Sequence, residues 1–192
     1  MAKLDKRSEI VRAAVQIIAE QGFHGSPMAM IAERAGVAAG TIYCYFESKD
    51  ILIRELYREI EGKMLEALRV GYQTERPIRE RFLHLGINLL KYFVAHPIES
   101  KYMEQFHNSP YGADLRRGRF AKECQDDDLL YLELFEQGVA QQVMKDLPHI
   151  VLFALAFGPM ITLTRDHILG FIVLDDALIE KTIAACWDGI KR

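Results

Sequence analysis

Ser26-Pro27-Met28-Ala29-Met30-Ile31-Ala32-Glu33-Arg34-Ala35-Gly36-Val37-Ala38-Ala39-Gly40-Thr41-Ile42-Tyr43-Cys44-Tyr45-Phe46-Glu47-Ser48-Lys49 is the stretch that decides the fold. It reads as two short helices meeting at a glycine. Ser26 is placed to accept a backbone N–H as N-cap, and Pro27 suits the first helical position, where no donor is missed. Gly36 ends that helix, because a sharp reversal needs the left-handed conformation that glycine adopts without strain. Ile31, Ala32, Ala35, Val37, Ile42 and Phe46 recur at spacings that let both helices share one small core. The second helix is thereby expected to turn Ala39, Gly40, Thr41, Tyr43, Cys44 and Tyr45 outward.

This is the pattern of a helix-turn-helix. In that motif the second helix enters the major groove N-terminus first, while the first crosses the backbone and can receive a phosphate at its own start, here Ser26 and Ala29. Thr41, Tyr43 and Tyr45 carry hydroxyls able to bond phosphate oxygens, and Lys49 supplies a cation just past the helix end. Ser48 reads as the N-cap of the next helix, with Asp50 in its first turn. The outward face lacks Arg, Asn and Gln, the side chains that make bidentate contacts to guanine or adenine. Close apolar approach of Ala39, Gly40 and Cys44 to thymine methyl groups, helped by groove shape, is expected instead. Cys44 is read as a small residue tolerated in the groove, the alternative being a redox switch whose oxidation would add bulk and polarity at the DNA face.

The run Ile31-Ala32-x-x-Ala35-Gly36-Val37-x-x-Gly40-Thr41-Ile42-Tyr43-x-Tyr45-Phe46-x-Ser48-Lys49-Asp50-x-Leu52 resembles the N-terminal domain of TetR/AcrR-family transcriptional regulators. The likeness extends back to Ser8 through Ile10, Ala13, Ala14, Ile17, Ile18, Gly22 and Phe23, and forward to Leu56. Ala38 departs from it, since the family commonly has Ser or Thr there, which removes a helix cap worth about 1 kcal/mol. The resemblance implies a homodimer on a palindromic operator, most often a repressor, with an inducer held among the middle helices. The expected architecture is all-α. A three-helix DNA-binding domain over residues 1–48, its motif at 27–46, is joined by a long helix to a ligand-binding and dimerisation domain over 49–192.

Composition fits one compact unit or two small ones: 192 residues, 50% hydrophobic, with a formal net charge of −3. Residues 1–49 hold six Lys or Arg against five Asp or Glu, a net of +1 that leaves −4 for the remainder. DNA binding then rests on placement of charge, not on its total. Cys44, Cys124 and Cys186 form no Cys-x-x-Cys pair, so neither a disulfide framework nor a zinc site is expected and the reduced cytoplasm is the natural setting. No signal pattern is read at Met1 to Arg7, and the longest apolar run, Ile150 to Leu163, is too short at 14 residues to span a bilayer. No membrane association is expected.

Along the chain, Ile10, Ala13, Ala14, Ile17 and Ile18 mark a supporting helix over about 8–21, and Leu52, Leu56, Ile60, Met64 and Leu68 a long lever helix over about 49–70. Pro77 opens a helix that His96-Pro97 closes. A short helix over about 98–106 is followed by a turn at Asn108-Ser109-Pro110-Tyr111-Gly112 and a mostly polar helix over about 113–137. Its Arg116, Arg117, Arg119 and its Asp126, Asp127, Asp128 read as solvated. The last two helices, about 148–169 and 177–191, differ in kind. The first is apolar nearly all round, which calls for cover on every side, and a second subunit is the economical source of it. Phe153, Phe157, Ile161, Ile179, Ile183, Cys186, Trp187 and Ile190 are therefore assigned to a dimer interface. Phe171 to Leu174 gives a weak strand signal.

Phe82, Leu89, Tyr92, Phe93, Tyr102, Met103, Phe106, His107, Phe120, Leu134, Phe153 and Phe157 form an aromatic and apolar set that is either plain core or, as the resemblance implies, the lining of an effector cavity. Such a cavity would take an apolar or aromatic ligand, with Tyr102 or His107 as polar anchor. The histidines at 84, 96, 107, 149 and 167 never fall at i, i+3 or i+4, so no metal site is expected. No cofactor is expected either. No nucleophile motif occurs, and the chain is read as a regulator and not an enzyme. The competing reading is an architectural or interaction protein that binds DNA without a small-molecule effector.

Overall fold

The computed structural model describes residues 6–120 and 130–192, apart from the side chains of Arg119 and Phe120. Among these residues the chain forms ten helices and no strand: α1 (Lys6–Gln21), α2 (Met28–Arg34), α3 (Ala39–Tyr43), α4 (Lys49–Arg69), α5 (Ile78–Ala95), α6 (Pro97–His107), α7 (Pro110–Phe120), α8 (Leu130–Ala140), α9 (His149–Ile168) and α10 (Asp176–Ile190). One isolated antiparallel bridge pairs Met144 with Lys191. Phe171 and Val173 are highly exposed in the α9–α10 connection and not part of a strand. Pro110 opens α7 at the position expected for a turn, consistent with proline's fitness for a helix start. Of the single helix expected over 113–137, the structure describes α7 and α8; Cys124 and Asp126 to Asp128 lie outside the described residues.

Two compact units are present, Met1–Gly62 with Ile98–Cys124 and Lys63–Pro97 with Gln125–Arg192. In the first, Ile10, Ala14, Ile17 and Ile18 of α1 are fully buried with Ile31, Ile42, Phe46, Leu52, Ile53 and Leu56. Arg7 of α1 donates to Glu55 (3.2 Å) and Glu59 of α4, and its guanidinium lies 5.4 Å from the Phe46 ring centre. The sequence places α6 in the C-terminal domain, but the helix belongs to this first unit. Tyr102 is buried there and its hydroxyl donates to the Ile53 carbonyl at 2.6 Å, while Phe106 stacks on Tyr57 with ring centres 3.9 Å apart. α7 is held similarly: the Tyr111 hydroxyl donates to the Asp50 carboxylate, Phe23 meets the Tyr111 ring edge-on at 5.5 Å, and Arg54 lies over it at 5.2 Å. Burial, and then the bond to Asp50, push the Tyr111 phenol up to about 12.

The second unit is a bundle in which α5 packs on α8, α9 and α10, and α9 on α8 and α10. The approach of α5 is tight at Gly86, where a Cβ would meet Ile183 Cγ2 at 2.7 Å and Met160 Cε at 3.2 Å. Asp175 caps α10 by accepting from the Leu178 N–H at 2.8 Å. The α10 stripe does not lie at the subunit surface: Ile179, Ile183, Cys186, Trp187 and Ile190 are buried in the subunit's own core with Phe157, and Trp187 sits 5.5 Å from Phe82, ring centre to ring centre. This corrects six of the eight residues assigned to the dimer interface. An apolar stripe needs cover, and α5 and α9 of the same chain supply it.

Ile183 is fully buried. Ile183→Ala is therefore expected to destabilise the subunit by about 2–5 kcal/mol, the range for deleting a large aliphatic side chain from a close-packed core. Denaturant unfolding followed by circular dichroism checks it, and an unchanged midpoint would contradict this packing.

Candidate nucleic-acid interface

α2 and α3 are both short, and their placement is set by the turn between them. Pro27 precedes the first turn of α2 with extended backbone, and no side chain caps that helix. Ser26, expected as its cap and as a phosphate contact, is fully buried, and its hydroxyl donates inward to the Phe23 carbonyl at 2.9 Å. Gly36 adopts φ +66°, the conformation that closes α2, and the Val37 N–H returns to the Ala32 carbonyl at 3.0 Å. Ala38 precedes α3 without a side-chain cap, as the absence of a hydroxyl there dictates. Ile42 and Phe46 then face the core and fix the rotation of α3.

That rotation leaves Ala39, Gly40, Tyr43 and Cys44 exposed on one short helix and its cap, with Thr41 half-buried and Tyr45 exposed just beyond. Tyr43 and Tyr45 retain 52% and 40% of their accessible surface, far above what a ring of that size keeps when it serves a subunit's own core. A Cβ built on Gly40 meets nothing within 4 Å, so the surface there is open to close approach. Cys44 Sγ lies 3.6 Å from the Gly40 carbonyl. Ala29 is exposed on the first turn of α2. The structure thus brings together Ala29, Ala39, Gly40, Thr41, Tyr43, Cys44 and Tyr45 on the surface of the first unit, and withholds Ser26.

Lys49 is placed differently from expectation. Its ammonium donates back to the Phe23 carbonyl, and burial holds it below the usual lysine range. The side chain ties the start of α4 to the end of α1. Ser48 caps α4 as its position in the sequence implies, accepting from the Ile51 N–H at 3.2 Å. A groove of about 300 Å³ between α1 and α2, lined by Glu9, Arg12, Ala13, Gln16 and Arg34, carries two cationic side chains to which the sequence assigns no role. In the sequence Arg12 is one of several charges on an amphipathic helix, bonded to Glu9, and nothing in the spacing of Arg12 or Arg34 marks either.

The twelve residues of the aromatic set do not form one group. Tyr102, Met103, Phe106 and His107 belong to the first unit, and Tyr102 is no anchor, since its hydroxyl is engaged by Ile53. Phe82, Leu89, Tyr92, Phe93, Leu134, Phe153 and Phe157 belong to the second, where Phe157 gathers Tyr131, Phe153 and Phe135 at ring-centre distances of 4.3, 4.6 and 6.2 Å. The Phe120 side chain lies outside the described residues. No cluster of three or more His, Cys, Asp or Glu suited to a metal ion occurs among the described residues, and no described helix is long and apolar enough to cross a membrane.

An all-helical chain that presents a short, core-anchored second helix in this way is a helix-turn-helix DNA-binding protein. Residues 10–56 match the family model for bacterial regulatory proteins of the tetR family, and residues 77–191 match that of a tetracyclin repressor-like C-terminal domain. The structure of a TetR-family transcriptional regulator from Vibrio parahaemolyticus is 34% identical over 98% of this chain and 100% of its own, with a TM-score of 0.73. A helix-turn-helix transcriptional regulator of Haemophilus influenzae is 25% identical over 100% of this chain and 98% of its own. The fold is also shared with a transcriptional regulator FadR from Bacillus subtilis in complex with stearoyl-CoA, at 20% identity, a TM-score of 0.74, and coverage of 96% and 99%. The chain belongs to the TetR family of transcriptional regulators, which are not enzymes, and it is a DNA-binding regulator.

The geometry separates two roles that the sequence joins. Tyr43→Ala is expected to lower DNA affinity about five-fold, the loss of roughly one hydrogen bond, with an unchanged melting temperature. Lys49→Ala is expected to lower the stability of the first unit by about 1 kcal/mol, since its bond to Phe23 is only partly shielded from water. Fluorescence anisotropy on DNA and thermal unfolding of both variants check this, and a Tyr43 variant that binds as well as the parent would remove the assigned face.

Proposed function

We propose that the protein is a cytoplasmic, ligand-responsive repressor that binds a palindromic operator as a homodimer and is released by a small apolar or aromatic molecule. The observation that carries this reading is the exposed face of α3. Hydroxyl-bearing and small side chains stand there with open space over Gly40, where a merely solvated face would carry Glu and Lys. Thr41, Tyr43 and Tyr45 position the helix on phosphates, with Ala29 at the start of α2 close to the backbone, and Ala39, Gly40 and Cys44 approach thymine methyl groups.

The dimer is formed by the outward side of α9, which the subunit leaves uncovered. Val151, Ala154, Leu155, Gly158, Thr162 and Leu169 fall at helical spacing on one exposed stripe, flanked by Ile161. It continues into the exposed Phe171 and Val173 of the following loop. Gly158 has nothing within 4 Å of a built Cβ, so a second helix can approach closely there. Phe153 and Ile161 are the members of the expected interface that remain exposed. Two copies related by a two-fold axis then present two α3 helices at a fixed spacing. The effector is taken up in the second unit among Phe82, Leu134 and Phe157, a reading supported by the stearoyl-CoA held by the Bacillus subtilis relative of the same fold.

Selection of binding sites from random duplexes is expected to return inverted repeats with thymine under the α3 contacts; G·C pairs at every contacted position would remove the methyl reading. Affinity for the selected site should fall by orders of magnitude between about 50 and 200 mM salt as phosphate contacts release counterions. A flat salt dependence would contradict the assigned DNA face.

Leu155→Arg places a charge on the α9 stripe without touching the subunit core. It is expected to give a monomer on a sizing column and to abolish operator binding while helical content is kept. A variant that stays dimeric would move the interface elsewhere.

A further inference from the structure

Arg81 stands in the second turn of α5, in the second unit, at 3% exposure. Its Nε donates to the Tyr72 hydroxyl at 2.9 Å, one terminal nitrogen donates to Gln137 Oε1 of α8, and the guanidinium lies 5.5 Å from the Tyr72 ring centre. The other terminal nitrogen is buried and has no hydrogen-bond partner among the described residues. Among the described residues its hydrogen-bond partners are neutral. Glu75 feels its charge but is exposed and engaged by the Thr74 hydroxyl at 2.9 Å. A guanidinium taken out of water without a carboxylate costs several kcal/mol, and one that keeps an unused N–H is a poor structural element, since an apolar side chain of the same volume would serve the core better.

Two further features describe what would complete it. Arg81, His84 and Asn88 lie at i, i+3 and i+7 on one side of α5, and His84 and Asn88 are bonded to each other at 2.9 Å. This polar stripe adjoins the apolar core of the second unit, in which Phe82, Leu85, Leu134 and Phe135 are fully buried and form the wall that opening at Tyr72 would reach. Tyr72, which covers the guanidinium, is half-buried and outside any helix, so it can swing aside without breaking an element.

We infer that Arg81 is the anion anchor of the effector site, and that the effector is an amphiphile whose carboxylate or phosphate oxygen accepts from the unused guanidinium N–H while its apolar body lies against the adjoining wall. The inference rests on the effector-sensing reading above and specifies the chemistry of that site. A planar guanidinium suits both oxyanions.

Titration calorimetry of the full-length protein with decanoate, decanoyl-CoA and methyl decanoate tests it. The parent is expected to bind one of the two anions at least about ten-fold more tightly than the neutral ester, as for a charge-assisted hydrogen bond, and which anion wins separates a carboxylate from a phosphate source. Arg81→Met should erase that preference and leave the ester's affinity unchanged, while Arg81→Lys should keep part of it. Thermal unfolding of both variants shows that the fold is retained. Equal affinity for all three probes, an anion preference that survives Arg81→Met, or no binding of any probe overturns the anchor. Binding and operator release by methyl decanoate alone would leave the sensing role intact and remove only the part given to Arg81. Failure of the sensing role itself would appear separately, as operator binding that no compound in a neutral and anionic library relieves.

Discussion

A reading helix of five residues cannot hold itself together. Nucleating a helix costs more than so few backbone hydrogen bonds return, so α3 takes its order from what it is packed on. It has no N-cap side chain at Ala38 to help. Its orientation therefore depends on the buried Ile42 and Phe46, on the packing of α3 against α2, and on the bonds that steady α1 and α4. Arg7 to Glu55 and Glu59 and Lys49 to the Phe23 carbonyl join the two, and Ser48 caps the first turn of α4. Tyr102 adds a fourth from α6 by donating to Ile53. A residue that never touches DNA can thus govern DNA binding through the rigidity of α3.

How much of this is legible in the amino-acid sequence depends on range. Gly36 at positive φ, Ser48 as a cap and the outward face of α3 are legible because each follows from neighbours within a turn or two. The α10 stripe is equally legible as something buried, yet periodicity says only that a face is covered and not by which chain; Gly86 on α5, tight against Ile183, decides it. Ser26 misleads for a related reason. A serine before a proline-led helix satisfies the pattern of a cap, but its hydroxyl turns to the Phe23 carbonyl behind it. Arg81 gives no signal at all, since Arg79-Glu80-Arg81 reads as a solvated surface until the fold closes over its last member.

α9 is apolar on two sides, one buried and one exposed. Leu152, Ala156, Met160 and Thr164 face the subunit core at four-residue spacing, and the opposite side carries Val151, Leu155 and Leu169 into solvent. Pro159 sits inside the helix without ending it. Exposed aliphatic area of this extent on a helix without charge until Arg165 is difficult to reconcile with a free monomer, because surfaces of soluble chains seldom leave such stripes uncovered. The proposed dimer rests on this outward side of α9, whose opposite side is the one buried in the subunit.

On the proposed reading, regulation is limited by the energy that sensing can pass to reading. α5 ends at Ala95, His96 alone intervenes, and α6 begins at Pro97. α6 in turn is bonded to α4 through Tyr102 and Ile53, and α4 begins at the tie to Phe23 that steadies the reading head. On that reading a ligand lowers operator affinity only by the difference in its own affinity for the two states. A hundred-fold fall in operator affinity asks for about 2.7 kcal/mol of such difference. Burying an aliphatic body supplies that much in total, but it does so in either arrangement and discriminates weakly. A charge-assisted bond to a buried guanidinium, worth about 1.5–3 kcal/mol and made only when α5 and α8 bring Arg81 and Gln137 to the right place, is of the required size and is directional. On the proposed reading the apolar wall therefore sets how tightly the effector binds, and Arg81 sets how much of that binding is felt at the DNA.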